Sequence, residues 1–119
     1  MGFTITYRTE KGTVTISEDV FTWLAGDAAS RCFGVKGMAA LSKENGLVQL
    51  LRRESMSRGV TVRPEGDGIE IDLHIVMNRG VNVTVAAHSI RNEVSYKVTA
   101  ATGVPVRRVN VFVDSMTDD

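Results

Sequence analysis

Ile69-Glu70-Ile71-Asp72-Leu73-His74-Ile75-Val76-Met77 is the stretch that decides the fold. Ile69, Ile71, Leu73, Ile75 and Met77 occupy one side of a two-residue period, and Glu70, Asp72, His74 and Val76 occupy the other. That alternation is the mark of a strand with one buried face. Just upstream, Val60-Thr61-Val62-Arg63 reads as a second strand, and Pro64-Glu65-Gly66-Asp67-Gly68 carries the proline and glycines that reverse a chain. The two runs form a hairpin. Downstream, Asn78-Arg79-Gly80 breaks the alternation and a period of three to four takes over. Val83, Ala87, Ile90, Val94, Val98 and Ala101 share one stripe of a long helix near 82–102. Asn82 is its cap, Glu93 and Lys97 form a well-oriented i,i+4 pair, and Gly103 and Pro105 stop it. Val109, Val111 and Val113 then define a last strand over 106–114. Strand 68–77, this helix and the last strand make one βαβ unit, whose end strands should run parallel with a right-handed crossover.

The first half is read outward from that unit. Residues 3–8 alternate Phe3, Ile5 and Tyr7 with polar residues, Lys11-Gly12 is a turn, and Val14 and Ile16 mark a better strand. Ser17 is an N-cap followed by Glu18 and Asp19, which suit the positive end of a helix. A helix over 17–32 places Val20, Phe21, Leu24, Ala25, Ala28 and Cys32 on one side, and Gly34 ends it. Val35 to Leu41 is a strand. In 42–58, Leu47, Leu50 and Leu51 predict a short amphipathic helix followed by a loop. The expected architecture is therefore α+β, a two-layer sandwich of a mixed β-sheet and two main helices, in the order β-α-β-(short α)-β-β-α-β. One domain fills 1–119, with loosely ordered ends at 1–10 and 115–119.

Composition narrows the function classes. Hydrophobic residues make up 43%, ordinary for a globular chain. Lys+Arg and Asp+Glu balance at 14 each, leaving no long-range field for nucleic acid or an anionic membrane. The single cysteine, Cys32, can form neither an internal disulfide nor a cysteine zinc cluster, and fits a reducing compartment. No signal-peptide stretch and no run of 18 apolar residues is present, so a cytoplasmic protein is expected.

Glu70, Asp72 and His74 are the best catalytic or metal-ligating candidates, on one strand face about 7 Å apart. They also sit where alternation alone puts polar residues, so a solvated face accounts for them. His88 falls on the polar side of the long helix near Arg91 and Asn92. Cys32 lies in an apolar stripe at a helix C-terminus, which does not stabilise a thiolate. Gly34-Val35-Lys36-Gly37 matches the GxxG loop that clamps a nucleic-acid backbone between two helices, but it leads into a strand-like run. Arg52, Arg53 and Arg58 are interrupted by Glu54, and Arg107-Arg108 alternates between sheet faces, so neither group is one basic patch. Asn82-Val83-Thr84 fits a glycosylation acceptor only outside the cytosol. No catalytic, cofactor or metal residues are assigned. The residues that patterning leaves unexplained are apolar: Trp23, far from the centre of its helix's apolar face; Val85 and Tyr96, on the back of the long helix; and Phe112, on the polar side of the last strand. Trp and Tyr are favoured interface anchors, so these positions are the candidate partner-binding residues.

Several phrases occur here in a familiar order: Val14-Thr15-Ile16-Ser17-Glu18-Asp19-Val20, Gly34-Val35-Lys36-Gly37-Met38, Gly46-Leu47-Val48-Gln49-Leu50-Leu51, Ser57-Arg58-Gly59-Val60, Ile71-Asp72-Leu73-His74-Ile75, Gly80-Val81-Asn82-Val83 and Val106-Arg107-Arg108-Val109-Asn110-Val111-Phe112-Val113. Over about residues 10–115 the chain resembles the alkaline-shock, or general-stress, envelope-stress family of Gram-positive bacteria. The resemblance implies a non-enzymatic cytosolic protein of envelope homeostasis, a scaffold or adaptor held at the inner face of the membrane by an anchored protein partner and able to self-associate. Short forms of the family tend to be encoded beside a fatty-acid-kinase-like enzyme, so an accessory role in lipid metabolism is the alternative it implies. A nucleic-acid-binding module using the glycine loop is the remaining alternative. The long charged or glycine-rich tails of larger members are missing here, so tail-dependent assembly does not carry over.

Overall fold

A computed structural model describes residues 2–41 and 46–118. A hairpin of β1 (Thr4–Thr9) and β2 (Gly12–Ser17) precedes helix α1 (Glu18–Ser30). Strands β3 (Val35–Leu41) and β4 (Val48–Leu50), a 3₁₀ turn at Arg53–Gly59, and strands β5 (Val60–Glu65) and β6 (Gly68–Asn78) follow. Helix α2 (Val83–Thr102) and strand β7 (Val106–Thr117) complete the chain. The expected α+β class, mixed sheet and paired helices are all present. Strand structure also extends into both segments expected to be loose, through β1 and through the last residues of β7, which runs to Thr117.

The main sheet has five strands organised around β6. β7 runs parallel to β6 from the Ile69↔Val106 pair to Asn78↔Thr117. A strand has only two hydrogen-bonding edges, so the other edge of β6 is shared end to end. β5 pairs antiparallel with its first half, Val60↔Leu73 to Glu65↔Gly68, and β3 pairs antiparallel with its second half, Val35↔Met77 to Met38↔Ile75. The β5–β6 reversal is a two-residue turn with Gly66 at φ 58°, a conformation glycine adopts without a Cβ clash.

Ile69, Ile71, Leu73, Ile75 and Met77 are completely buried and form the floor on which both helices sit. α2 buries Ala86, Ile90, Val94, Val98 and Thr102. This i,i+4 row is inclined to the helix axis. It therefore leaves Val83 and Ala101, the expected ends of the stripe, exposed. The expected caps are in place: the Asn82 Oδ1 accepts the Val85 N–H at 3.0 Å, and Gly103, at φ 78°, donates its N–H to the Thr99 carbonyl at 2.8 Å. Ser17 stands at the N-cap of α1, but its side chain makes no capping hydrogen bond. α1 buries Phe21, Thr22, Ala25, Gly26, Ala28 and Ala29, while Val20 stays exposed. Its small residues allow close approach: a Cβ on Gly26 would lie 3.4 Å from Met56 and from Val60.

The expected helix at Leu47, Leu50 and Leu51 is replaced by a strand. β4 pairs with β3 (Ala39↔Leu50 to Leu41↔Val48), and the Leu51 N–H reaches the Met38 carbonyl at 2.8 Å. A free edge on β3 satisfies these backbone groups, whereas so short an isolated helix lacks a favourable nucleus. The helical turn forms later, at Arg53–Gly59, and residues 42–45 of the expected helix lie outside the described residues.

Two substitutions test this packing by urea denaturation. Leu73→Ala opens a cavity beneath both helices and should lower stability by about 3 kcal/mol. Asn82→Ala removes the α2 cap and should cost about 1 kcal/mol.

Candidate functional site

The side of β6 opposite the helices carries Glu70, Asp72 and His74, and the flanking strands supply their partners. Arg63 of β5 grips Asp72 with two bonds, Nη1 to Oδ2 at 2.9 Å and Nη2 to Oδ1 at 3.1 Å. It also lies 3.2 Å from Glu70 Oε2. From β7, the Asn110 amide donates to Glu70 Oε2 and to Asp72 Oδ1, each at 2.8 Å. His74 and Asp114 meet at 2.9 Å through Nδ1 and Oδ2. The imidazole stacks on Phe112 with centroids 4.7 Å apart and planes 10° from parallel. These contacts follow from register, which sets Thr61 and Asn110 beside Asp72 and Phe112 beside His74. At the far end of the face, Val76 is buried rather than solvated. It pairs with Gly37, and Leu50 of β4 lies against that glycine.

This network engages its own carboxylates. The Arg63 guanidinium, helped by the Asn110 amide, holds the Asp72 carboxyl below the usual carboxylate range against the opposing effect of burial. Asp72 is thus an ionised acceptor with both oxygens engaged, which suits a structural ladder better than acid–base work. Among the described residues, no group of three or more His, Cys, Asp or Glu side chains is placed to hold a metal ion.

A second polar cluster lies beside the cleft between α1 and α2. Burial raises the Asp27 carboxyl, but hydrogen bonds from Arg31 and Arg53 outweigh it and bring the net value below the ordinary one. Cys32 follows the end of α1 with its Sγ donating to the Ala28 carbonyl at 3.4 Å. Burial, then the negative charge of Glu93, push its thiol up, away from the reactive thiolate. His88 is an exposed helix residue 3.3 Å from the Asn92 amide. Arg107 pairs with Asp67 at 2.7 Å and Arg53 with Asp27 at 2.8 Å, so neither arginine belongs to a basic patch. Gly37 of the glycine pattern is inside β3, not in a loop between helices.

The candidate contact residues are all exposed: Trp23 at 50%, Val85 at 66%, Tyr96 at 69% and Phe112 at 44%. They do not converge. Trp23 is on α1 and Phe112 on the open sheet face, while Val85 and Tyr96 lie about 16 Å apart along α2 at 1.5 Å per residue. Phe33 was missed by the sequence reading although, among the described residues, it is the most exposed large apolar side chain, at 88%. It lines a shallow depression with Val81 and Val85. Its position, between the end of a helix and the turning Gly34, was the available signal, since a chain leaving a helix there has no neighbouring element to cover it.

The acid response of the network has a definite sign. Because the folded carboxyl of Asp72 is lowered, its contribution is complete above the unfolded value near 4 and disappears as pH falls through the folded value. Urea midpoints should be flat from about pH 7 to 5 and fall below about pH 4. Arg63→Ala should lower the urea midpoint at neutral pH, with the gap to the parent narrowing in acid.

Three comparisons place the chain among known proteins. It is 39% identical over 113 residues to the uncharacterized protein YloU of Bacillus subtilis, covering 94% of each chain. It is 33% identical over 115 residues to the uncharacterized protein Spy1614 of Streptococcus pyogenes, covering 95% of this chain and 94% of that one. Among solved structures, MamM CTD M250L superposes with a TM-score of 0.49 at 20% identity, over 82% of this chain and 95% of the other. Residues 6–117 match the alkaline shock protein 23 family, described by its cell envelope-related function, and the chain belongs to that family.

Proposed function

We propose that this protein is a non-enzymatic scaffold or adaptor of envelope homeostasis, working through protein–protein contacts and brought to the inner face of the membrane by an anchored partner. The observation that carries the reading is the contrast between its polar and apolar surfaces. The carboxylates best placed for chemistry are already bound by Arg63 and Asn110, whereas Trp23 and Tyr96 stand half or more exposed on the helices. Large aromatics bury much area for little lost side-chain entropy, which makes them effective anchors. Among the described residues, no helix is long and apolar enough to cross a membrane. In this reading the partner supplies membrane attachment. Membership of a family with cell envelope-related function supports the setting.

Native co-purification followed by mass spectrometry tests the reading. The expected outcome is a membrane-anchored protein whose recovery falls about 30-fold with Trp23→Ala or Tyr96→Ala, the effect of losing a 2 kcal/mol hot spot, while the melting temperature holds. Unchanged recovery with both variants would remove these residues as the contact. Recovery of a soluble lipid-metabolising kinase instead would favour an accessory subunit. Salt-sensitive binding of RNA or DNA, lost with Lys36→Glu, would favour a nucleic-acid module.

A further inference from the structure

β7 is a 12-residue strand that pairs with β6 along one edge. Its outer edge has no strand partner among the described residues. Exposed edges are usually blunted by shortness, proline or charge. The β5 edge is six residues long and contains Pro64, and β4 is three residues long. β7 lacks the first two defences, being long and free of proline from Val106 to Thr117, and its charged residues, Arg107, Arg108 and Asp114, flank an uncharged run from Val109 to Val113.

Two further features say what fits that edge. Val111 and Val113 continue the rows of Leu73 and Ile75 on the helix-covered face. Leu73 and Ile75 are completely buried, yet the two valines are only partly buried, so the apolar layer runs off the edge of the sheet. On the other face, Arg108 aligns with Glu70, and Asp114 accepts His74 through Oδ2, leaving Oδ1 for another donor. The register shifts between β6 and β7 leave Arg107 and Asp114 as the extra residues at either end of this segment, so Arg108 to Val113 is regular strand and the Asp114 carboxylate, held by His74 on the polar face, stands at its margin.

We propose that β7 is a self-association edge, on which the β7 strand of a second copy pairs antiparallel about a two-fold axis at Val111. Directly opposed residues in an antiparallel pair share a sheet face. With Val111 opposite itself, Val109 meets Val113 on the apolar face and Arg108 meets Asp114 on the polar face, each twice by symmetry. A register centred on Asn110 sets Arg108 opposite Phe112, and one centred on Phe112 sets it opposite Met116. Both lose the two ion pairs. The two five-stranded sheets thereby become one continuous sheet. This inference deepens the contact-based function proposed above. It concerns pairing of like chains, so its failure leaves recruitment by a different protein standing.

Sedimentation equilibrium of the full chain, with charge exchange and crosslinking, tests the interface. The expected mass is twice 12.9 kDa. Arg108→Asp or Asp114→Arg alone should weaken association about tenfold, and the two together should restore it, an outcome that general misfolding does not produce. Val111→Cys in a Cys32→Ser background should give a disulfide-linked dimer on mild oxidation, because opposed Cα atoms lie about 4.5–5.5 Å apart. A monomer at every concentration overturns the proposal. So does a dimer that is indifferent to Arg108→Asp, or one that forms no crosslink at position 111.

Discussion

Pairing along both edges of β6 is the constraint on which the rest of the structure depends. β7 occupies one whole edge, and β5 and β3 divide the other. Every backbone group of so buried a strand needs a partner, and this arrangement supplies them from three separate parts of the chain. The two-residue period then sends five large apolar side chains into the helices and leaves the polar ones outside. A slip of one residue would reverse both faces at once, so the same hydrogen bonds that place the core also place the polar network.

Close approach of backbones makes that arrangement possible. A Cβ on Gly68 would lie only 2.1 Å from the Pro105 carbonyl oxygen, at the point where β6 begins and the chain leaving α2 enters β7. The Ile69 N–H bonds to that carbonyl at 3.0 Å. Gly59 plays a similar part where the 3₁₀ turn passes β3, since a Cβ there would meet the Ala39 carbonyl at 2.8 Å. These contacts hold the non-adjacent strands around β6 more tightly than side-chain packing alone allows.

The surface divides its roles in a way the composition conceals. Zero formal charge here does not mean a uniformly mixed surface. Arg63, Asn110, Glu70 and Asp72 satisfy one another on the sheet, while Asp27 gathers Arg31 and Arg53 beside the helix cleft. With the charges paired locally, Phe33, Tyr96, Val85 and Trp23 are left as large apolar side chains facing solvent.

Sequence by itself determined what local periodicity and capping encode. The alternation of 69–77, the long helix with Asn82 and Gly103 at its ends, the Glu93–Lys97 pair and the outward positions of Trp23, Tyr96 and Phe112 were all legible, because each depends on residues a few positions apart. Tertiary structure decided the rest. Leu47, Leu50 and Leu51 fit a helical period, yet the open edge of β3 drew this segment into a strand. Glu70, Asp72 and His74 could be recognised as one polar row. That Arg63, Asn110 and Asp114 would bind them could not, since those partners come from other strands and meet the row only through register. The candidate site was therefore half readable: periodicity shows which face a residue takes, but only strand pairing shows which residue stands beside it.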